Sequence, residues 1–276
     1  MTVVVVTDSS ARIPPELAAA YGIRVVPLHI LVDGEDLRDG LDAVPSDIHD
    51  RPASTSGPSP AELEAVYRQA LDDSGGDGVL AAHLSAKLSG TCGTAQRVAE
   101  QLGAQVTVVD SGSVAMGLGF VALAAARAAA DGADLPAVAA AAQRTADGAD
   151  GFIVVQQLDN LRRSGRIGGA AAWLGTALSL KPLLRVEDGN LVLAQRIRTA
   201  SRAIAVMVDR VCESAGERPV SLAVHHVANP DGARELADNL AQRLPAAEAP
   251  VVSELGPVLG LHVGAGALGV VVAAPR

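Results

Sequence analysis

Residues 79–102 of the chain read VLAAHLSAKLSGTCGTAQRVAEQL. The apolar run 79–84 predicts a buried strand, and the alanine-containing stretch 91–102 predicts a helix. The hydroxyl-rich residues between them, 85–91, predict the turn that joins the two. A helix N-terminus leaves backbone N–H groups unpaired and carries a partial positive charge, so hydroxyl groups placed there favour a small anion such as a carboxylate or phosphate. The same residues also fit a simpler interpretation in which Ser89 only caps the helix.

On both sides of this segment, short apolar runs alternate with helix-length amphipathic stretches. This alternation predicts a mostly parallel sheet with helices on its faces. Ligands bind such sheets beyond the carboxyl ends of the strands, where this chain places hydroxyl-rich turns at 7–10, 85–91 and 110–113. The predicted strands are 3–6, 24–31, 79–84 and 106–109, and the predicted helices are 60–72, 91–102, 116–130 and 135–147.

A second α/β unit is predicted after residue 149, so we expect two domains, 1–149 and 150–276. A chain of 276 residues can bury two such cores without disulfides or metals. The stretch 39–60, rich in Pro, Ser and Asp, is expected to be a surface segment with little regular structure. The elements expected after residue 149 are strands 152–156, 221–225, 251–254 and 268–273, a basic helix-and-loop region, a hairpin across 187–190, and helices 201–212 and 230–244.

Composition excludes several classes of function. The net charge of −9 argues against general binding of nucleic acid or of anionic membranes. Aromatic residues make up only 2% of a chain that is 49% hydrophobic, so a cavity would be walled by small aliphatic side chains that suit an aliphatic ligand. Cys92 and Cys212 lack further ligands nearby, which argues against a zinc site or a disulfide framework.

The localisation expected from the sequence is cytoplasmic. Residues 1–8 lack the basic region and the longer apolar core of a signal peptide. The longest weakly polar stretch, 111–130, fits a buried helix better than a membrane span.

A second hydroxyl-rich motif, STSGPSPAE, occupies residues 54–62. Ser59, Pro60 and Glu62 match a capping box with Pro at the first helical position, which makes Ser59 structural. Thr55 and Ser56 lie outside this capping box and are better candidates than Ser59 to face a ligand.

The glycine-rich stretch 254–268, ELGPVLGLHVGAGAL, carries the single residue His262 among apolar neighbours. A lone His in this setting is either a core residue with its hydrogen bonds satisfied or a ligand contact that the glycines allow to approach. Both interpretations stay open at this point. His225 and His226, at a strand end, are expected to be structural.

A basic cluster lies between residues 162 and 202, a segment that contains eight Lys or Arg residues and only two acidic residues. Such a cluster on an acidic protein indicates a site for a phosphate or for an acidic partner surface. Arg196 and Arg198 alternate along a predicted strand and should share one face. The alternative, a solvated helix face, explains Arg162 and Arg163 better than it explains Arg196 and Arg198.

Six motifs in order resemble the DegV family of bacterial fatty-acid-binding proteins, and the resemblance spans essentially the whole chain. It implies two α/β domains with a long-chain fatty acid buried in a tunnel between or beside them. It also implies the role of a lipid-binding acyl carrier in phospholipid metabolism, serving a separate fatty acid kinase that phosphorylates the bound carboxylate to an acyl phosphate. The motifs are TDSS (7–10), TSGPS (55–59), LSAKLSGT (84–91), VDS (109–111), LDNLRRSGRI (158–167) and GPVLGLHVGAGAL (256–268).

The resemblance implies roles for individual residues. Thr55 and Ser89 resemble the hydroxyl donors to the carboxylate, and His262 resembles a third polar contact. Additional candidates for the rim are Ser56 and Ser85. Arg166, Arg196 and Arg198 resemble positions that face the kinase or the phosphate.

The chain departs from the family pattern at several positions. Gly57 stands where the family usually has Gln, Ala86 where a second Ser is common, and Ala265 where Pro is common. The stretch before Thr55 is also shorter than in most members. These departures bear on chain-length preference more than on function.

No catalysis by the chain itself and no cofactor beyond the bound fatty acid are expected, because it has no Gly-x-x-x-x-Gly-Lys-Ser/Thr loop and no evident magnesium carboxylate pair. One alternative is an acyl hydrolase with Ser89 or Thr55 as nucleophile and His262 as base, but the chain lacks a Gly-x-Ser-x-Gly elbow. Another is a substrate-binding subunit similar to those of dihydroxyacetone kinases, in which a His holds the substrate covalently.

Overall fold

The computed structural model describes residues 2–167 and 180–274. The contacts between residues divide the chain into two compact units. Unit 1 consists of Met1–Pro45 and Pro52–Gly148, and unit 2 consists of Ser46–Arg51 and Ala149–Pro275. A short segment from the first half of the chain therefore belongs to unit 2.

Unit 1 is built around a four-stranded parallel sheet in the order β2-β1-β6-β7, with a separate three-stranded antiparallel sheet in the order β4-β3-β5. Its elements are strands β1 (Val4–Asp8), β2 (Arg24–Val26), β3 (His29–Val32), β4 (Glu35–Arg38), β5 (Ala53–Ser56), β6 (Val79–His83) and β7 (Val106–Asp110), and helices α1 (Pro15–Ala20), α2 (Pro60–Ser74), α3 (Thr91–Leu102), α4 (Met116–Ala130) and α5 (Leu135–Asp147). The predicted parallel sheet flanked by helices is confirmed.

Both faces of the parallel sheet are covered. Helices α2 and α3 pack with Val79 and Ala81 of β6 in one hydrophobic core, to which α2 contributes Leu63 and Tyr67. Leu80, which alternates with these residues and so faces the other way, is also fully buried, and α4 and α5 contact the same strands. The near-continuous apolar sequence of β6 follows from this two-sided burial.

Two expectations for unit 1 were wrong. The predicted strand 24–31 is interrupted at Pro27, which lacks an N–H, so that β2 joins the parallel sheet and β3 joins the antiparallel one. The stretch 39–60 is not a mere surface segment, because it contains β5 and the 3₁₀ turn Ile48–Asp50. The predicted bounds of α3, α4 and α5 are confirmed.

Unit 2 contains a six-stranded sheet in the order β10-β9-β8-β13-β11-β12, antiparallel except for the pair β11 and β12. The hairpin at 187–190 is confirmed, with Asp188 (φ 49°) and Gly189 (φ 76°) in the left-handed region that a tight two-residue turn requires. The elements are strands β8 (Asp150–Val154), β9 (Lys181–Glu187), β10 (Asn190–Ile197), β11 (Ser221–His226), β12 (Val251–Glu254) and β13 (Leu268–Ala273), and helices α6 (Asp159–Ser164), α7 (Ala200–Ala215), α8 (Pro230–Arg243) and α9 (Gly256–Val263).

Helices α7 and α8 pack on this sheet through one hydrophobic core that includes Met207, Leu222 and Leu240. Residues 168–179, part of the predicted basic helix-and-loop region, lie outside the described residues. Within residues 2–167 and 180–274, no helix is long and apolar enough to cross a membrane.

Candidate functional site

The turn after β6 is fixed by a continuous set of backbone hydrogen bonds. Every backbone N–H from Leu84 to Ser89 has an acceptor in unit 1. Leu84 donates to Asp8 Oδ2 (3.0 Å), Ser85 to the Ser113 carbonyl (2.8 Å), Ala86 to the Asp110 carboxylate (3.2 Å), Lys87 to Ser85 Oγ (3.2 Å), and both Leu88 (2.9 Å) and Ser89 (3.1 Å) to the Ser85 carbonyl. The turn is therefore rigid, and these N–H groups are already occupied.

Ser85 is fully buried and holds this turn together through its hydroxyl and carbonyl oxygens. Ser89 is half-buried and lies one residue before the N-cap of α3, which is Gly90 and has no side chain to cap the helix. The Ser89 hydroxyl oxygen accepts from the Thr91 N–H (3.3 Å) and lies 2.9 Å from Thr91 Oγ1. The N-terminus of α3 is thus lined by the hydroxyls of Ser89 and Thr91.

Thr55 is positioned by the small antiparallel sheet, where it pairs with Ile30. Alternation along β5 leaves Thr55 half-buried and Ser56 exposed. His29 of β3 connects this sheet to α2, because its Nδ1 lies 2.7 Å from Asp36 Oδ1 and its Nε2 lies 3.1 Å from Glu62 Oε1.

The two hydroxyl motifs of unit 1 meet at Gly57. A Cβ atom added to Gly57 would stand only 2.6 Å from Thr91 Oγ1, so the backbone after β5 lies directly against the first residue of α3. Segments 55–57 and 89–91, which are distant in sequence, are therefore neighbours in the fold. The adjacent capping box of α2 is confirmed, with Ser59 N–H donating to Glu62 Oε2 (2.7 Å) and Glu62 N–H to Ser59 Oγ (3.3 Å).

Behind the turn, a buried polar chain runs from Tyr67 through His83 to Asp8. The Tyr67 hydroxyl lies 2.7 Å from His83 Nε2, and His83 Nδ1 lies 3.0 Å from Asp8 Oδ2. Sequence reasoning missed Tyr67 and His83, although a His inside an otherwise apolar strand signals a buried partner. Cys92, near Asp8 and Asp110, is an unreactive thiol, because burial first and those carboxylates second raise its pKa to about 12.

In unit 2, His262 lies on α9 and is half-buried. Burial, with repulsion from Arg166 as a second cause, lowers the pKa of His262 to about 4. The imidazole is therefore neutral at pH 7 and can contribute one N–H donor without adding a charge.

The glycines around His262 allow close packing within unit 2. A Cβ on Gly260 would stand 2.5 Å from His49 Cε1, and one on Gly266 would stand 3.1 Å from Gln156 Cγ. Gly266 also has a positive φ of 78°, which a side chain would strain. The space beside Gly260 and Gly266 is therefore filled by side chains of the protein itself.

The predicted cationic residues of unit 2 differ in their surroundings. Arg166 follows the left-handed C-cap Gly165, is half-buried, and donates to the Ser164 carbonyl. Arg196 is exposed on β10, whereas the strand ends at Ile197, so the prediction that Arg198 lies on the same strand was wrong. Arg198, the residue that follows the buried Ile197, is nevertheless exposed.

Three other members of the basic cluster make hydrogen bonds or ion pairs within unit 2. Lys181 Nζ bonds Gln156 Oε1 at 2.7 Å, and Arg185 pairs with Glu187. Arg163 donates to Asn160 Oδ1 at 2.6 Å. Lys181, Arg185 and Arg163 therefore have partners within unit 2.

Two further observations concern catalysis. Within unit 1, the recorded partners of Ser89 Oγ are the N–H and the hydroxyl of Thr91, so no His or carboxylate of that unit activates Ser89 as a nucleophile. In the part of the chain that the structure describes, no three His, Cys, Asp or Glu side chains are grouped so as to hold a metal ion.

Comparison with known proteins identifies the family of the chain. A family model described as "Uncharacterised protein, DegV family" matches residues 2–275. A DegV domain-containing protein of Mycobacterium tuberculosis is 61% identical over 272 residues, which cover 99% of this chain and 97% of that protein.

Two solved structures are similar over nearly their whole length. A DegV family protein from Thermus thermophilus, described by its fatty acid binding, is 34% identical with a TM-score of 0.92 and covers 99% of this chain and 100% of its own. DegV from Bacillus subtilis, described as a fatty acid binding protein, is 29% identical with a TM-score of 0.89 and covers 99% of each chain. By sequence and by fold, this chain belongs to the DegV family.

Proposed function

We propose that this protein binds a long-chain fatty acid and acts as an acyl carrier, not as an enzyme. The observation that carries the proposal is the contact of Gly57 with Thr91, which brings the hydroxyl-bearing segments around Thr55 and Ser89 together at the N-terminus of α3. Such an arrangement suits a carboxylate. The fatty acids bound by the Thermus and Bacillus proteins supply the ligand class.

In this proposal the hydroxyls of Thr55 and Ser89 and the imidazole of His262 donate to the carboxylate, with the exposed Ser56 at the rim. All three principal donors are uncharged, since the pKa of His262 is lowered to about 4. Most of the affinity comes from the acyl chain, because burying a chain of roughly 16 carbons at about 0.8 kcal/mol per methylene contributes on the order of 12 kcal/mol before binding costs. A carboxylate that is oriented but not neutralised by an ion pair keeps its nucleophilic oxygen.

The proposed carrier presents this carboxylate to a separate fatty acid kinase in the cytoplasm. The kinase supplies ATP, magnesium and catalysis. A carboxylate oxygen attacks the γ-phosphorus, and the products are an acyl phosphate and ADP. Arg196 and Arg198 are exposed cations that fit an acidic kinase surface or the transferred phosphate, and Arg166 is a third candidate.

Native mass spectrometry of the purified protein tests ligand binding directly. We expect a co-purified acyl chain, or uptake of one equivalent of palmitate after delipidation. Ser89→Ala should weaken palmitate binding, whereas Ser201→Ala, at an exposed position of α7, should not. A folded wild-type protein that neither carries nor takes up an acyl chain would overturn the proposal.

Kinase assays test the carrier role separately. A purified fatty acid kinase should form acyl phosphate from ATP only when the loaded protein is present. Turnover of acyl esters by the protein alone, abolished in Ser89→Ala, would instead support the hydrolase alternative.

A further inference from the structure

The Thr91 hydroxyl is buried and has one hydrogen-bond partner within the part of the chain that the structure describes. Thr91 is only 2% exposed, and among the described residues its Oγ1 bonds Ser89 Oγ alone, at 2.9 Å. Ser89 Oγ also accepts from the Thr91 N–H at 3.3 Å. Two groups of Thr91 therefore converge on the same oxygen.

The direction of the hydroxyl bond follows from counting protons and lone pairs. Each hydroxyl has one proton to donate and two lone pairs to accept with. If Ser89 donated to Thr91, the Thr91 proton would be buried without an acceptor, which costs free energy. With Thr91 as donor, no buried proton is left over.

This direction determines what Ser89 can do. Its two lone pairs are occupied by the N–H and the O–H of Thr91, and only its own proton remains. Because Ser89 is only half-buried, that proton is available to a ligand. Ser89 is then a hydrogen-bond donor and not an acceptor.

Gly57 makes this arrangement possible. A Cβ at position 57 would meet Thr91 Oγ1 at 2.6 Å and Thr91 Cβ at 3.6 Å. The φ of Gly57 lies outside the left-handed region, so the backbone itself would accept a side chain. A side chain at this position would displace the Thr91 hydroxyl from where it stands in this chain.

We infer that Thr91 is a positioning residue that makes Ser89 an obligate donor, that Gly57 provides the space for it, and that the site consequently selects a head group that only accepts hydrogen bonds. This inference rests on the proposed function. A carboxylate is such a head group, and its charge strengthens each bond it accepts. An alcohol of the same chain length is a weaker acceptor and carries a proton that Ser89 cannot accept.

The test compares the dissociation constants of dodecanoate and 1-dodecanol, measured by displacement of a fluorescent fatty-acid analogue. Thr91→Val removes the hydroxyl with little change in shape, and we expect it to lower the preference for the acid over the alcohol about tenfold, since one charge-assisted bond is weakened. Thr91→Ser should restore the preference. Gly57→Ala should lower it as Thr91→Val does, by displacing the Thr91 hydroxyl.

Two matched variants control for stability. Thr145→Val removes another helical Thr hydroxyl, the one that donates to the Ala141 carbonyl on α5, and Gly148→Ala adds a methyl group 3.4 Å from the nearest atom. Both should bind the two ligands as the wild type does. The melting temperature of every variant, measured alongside, identifies loss of fold.

Wild-type selectivity in both Thr91→Val and Gly57→Ala, with tight binding of the acid, would overturn the inference and leave the proposed function standing. A wild-type protein that binds neither ligand would overturn the proposed function itself. An equal loss of acid and alcohol binding in folded Thr91→Val would also contradict the inference, because it would give Thr91 a packing role.

Discussion

The Tyr67 hydroxyl lies 2.7 Å from His83 Nε2, with both residues fully buried. Burial first, and then the charge of Asp8, raise the pKa of Tyr67, so the phenol stays protonated. On the other side of the ring, His83 Nδ1 donates to Asp8 Oδ2 at 3.0 Å, since a carboxylate can only accept. The same oxygen of Asp8 accepts from the Leu84 N–H, so the chain of bonds reaches the start of the turn that bears Ser89.

Asp8→Asn should destabilise the protein by about 2–4 kcal/mol, measured by urea unfolding. The carboxylate accepts from His83, from Leu84 and from both the N–H and the hydroxyl of Ser10, and an amide cannot accept all of these. Asp72→Asn, at an exposed position of α2, should change the free energy of unfolding by less than about 0.5 kcal/mol. Similar small effects in both variants would contradict a role for Asp8 in holding the turn.

His262 should make stability fall on acidification between pH 6.5 and 4. Its pKa is lowered from 6.5 to about 4, so in this range the unfolded chain binds a proton that the folded protein does not. The free energy of unfolding therefore rises as the pH increases from 4 to 6.5, and it decreases as the pH falls through the same range. Denaturant unfolding of wild type and His262→Gln at several pH values measures this difference.

The wild type and His262→Gln should differ in the slope of the free energy of unfolding against pH only between pH 6.5 and 4. A bound carboxylate beside the imidazole would favour its charged form and raise its pKa, so palmitate should narrow the window. Parallel curves of unfolding free energy against pH for wild type and His262→Gln, with and without palmitate, would argue against the effect of His262 and against its change on palmitate binding.

Arg196→Glu should impair acyl phosphate formation with a partner kinase severalfold while palmitate affinity stays within twofold. The side chain is exposed on β10, and reversal of its charge weakens association with an acidic surface. Arg218→Glu makes the same change of net charge at another exposed position of unit 2 and serves as the control. Equal loss of palmitate binding and of acyl phosphate formation would refute the docking role.

Gly260→Ala should destabilise unit 2 by about 1–3 kcal/mol, because the new methyl group would stand 2.5 Å from His49 Cε1 and 3.3 Å from Val227 Cγ1. The displaced His49 should loosen the segment Ser46–Arg51. Limited proteolysis followed by mass spectrometry should show faster cleavage at Arg51. Gly93→Ala, on α3 of unit 1, where the nearest atom is Arg97 Nη1 at 3.8 Å, should not increase cleavage.

Elements with a local signal were predictable from the sequence. The bounds of α3 follow from its own periodicity, and the turn at Asp188 and Gly189 follows from its own residues. The small sheet that carries Thr55 was not predictable, because the sequences of β4 (EDLR) and β5 (ASTS) are polar and show no apolar alternation. Its register depends on pairing with β3, which local patterns do not encode.

The residues of the candidate site also divide into those that the sequence indicates and those that only the fold reveals. Ser89 and Thr55 stand out because hydroxyls at a strand end or before a helix have a known chemistry. Thr91 and Gly57 acquire their meaning only from each other, through a tertiary contact between positions far apart in the chain. Tyr67, likewise, is tied to His83 by the packing of α2 on the sheet and not by any motif.

The assignment of Ser46–Arg51 to unit 2 has a consequence for the order of folding during synthesis. The segments Met1–Pro45 and Pro52–Gly148 of unit 1 are complete once Gly148 has been made, so the two sheets of unit 1 can form while the ribosome is still translating the rest. His49 must wait, because Gly260 lies far downstream of it in the chain. A nascent chain therefore carries this segment as an undocked loop until α9 has emerged, and a ribosome that stalls before α9 leaves it undocked.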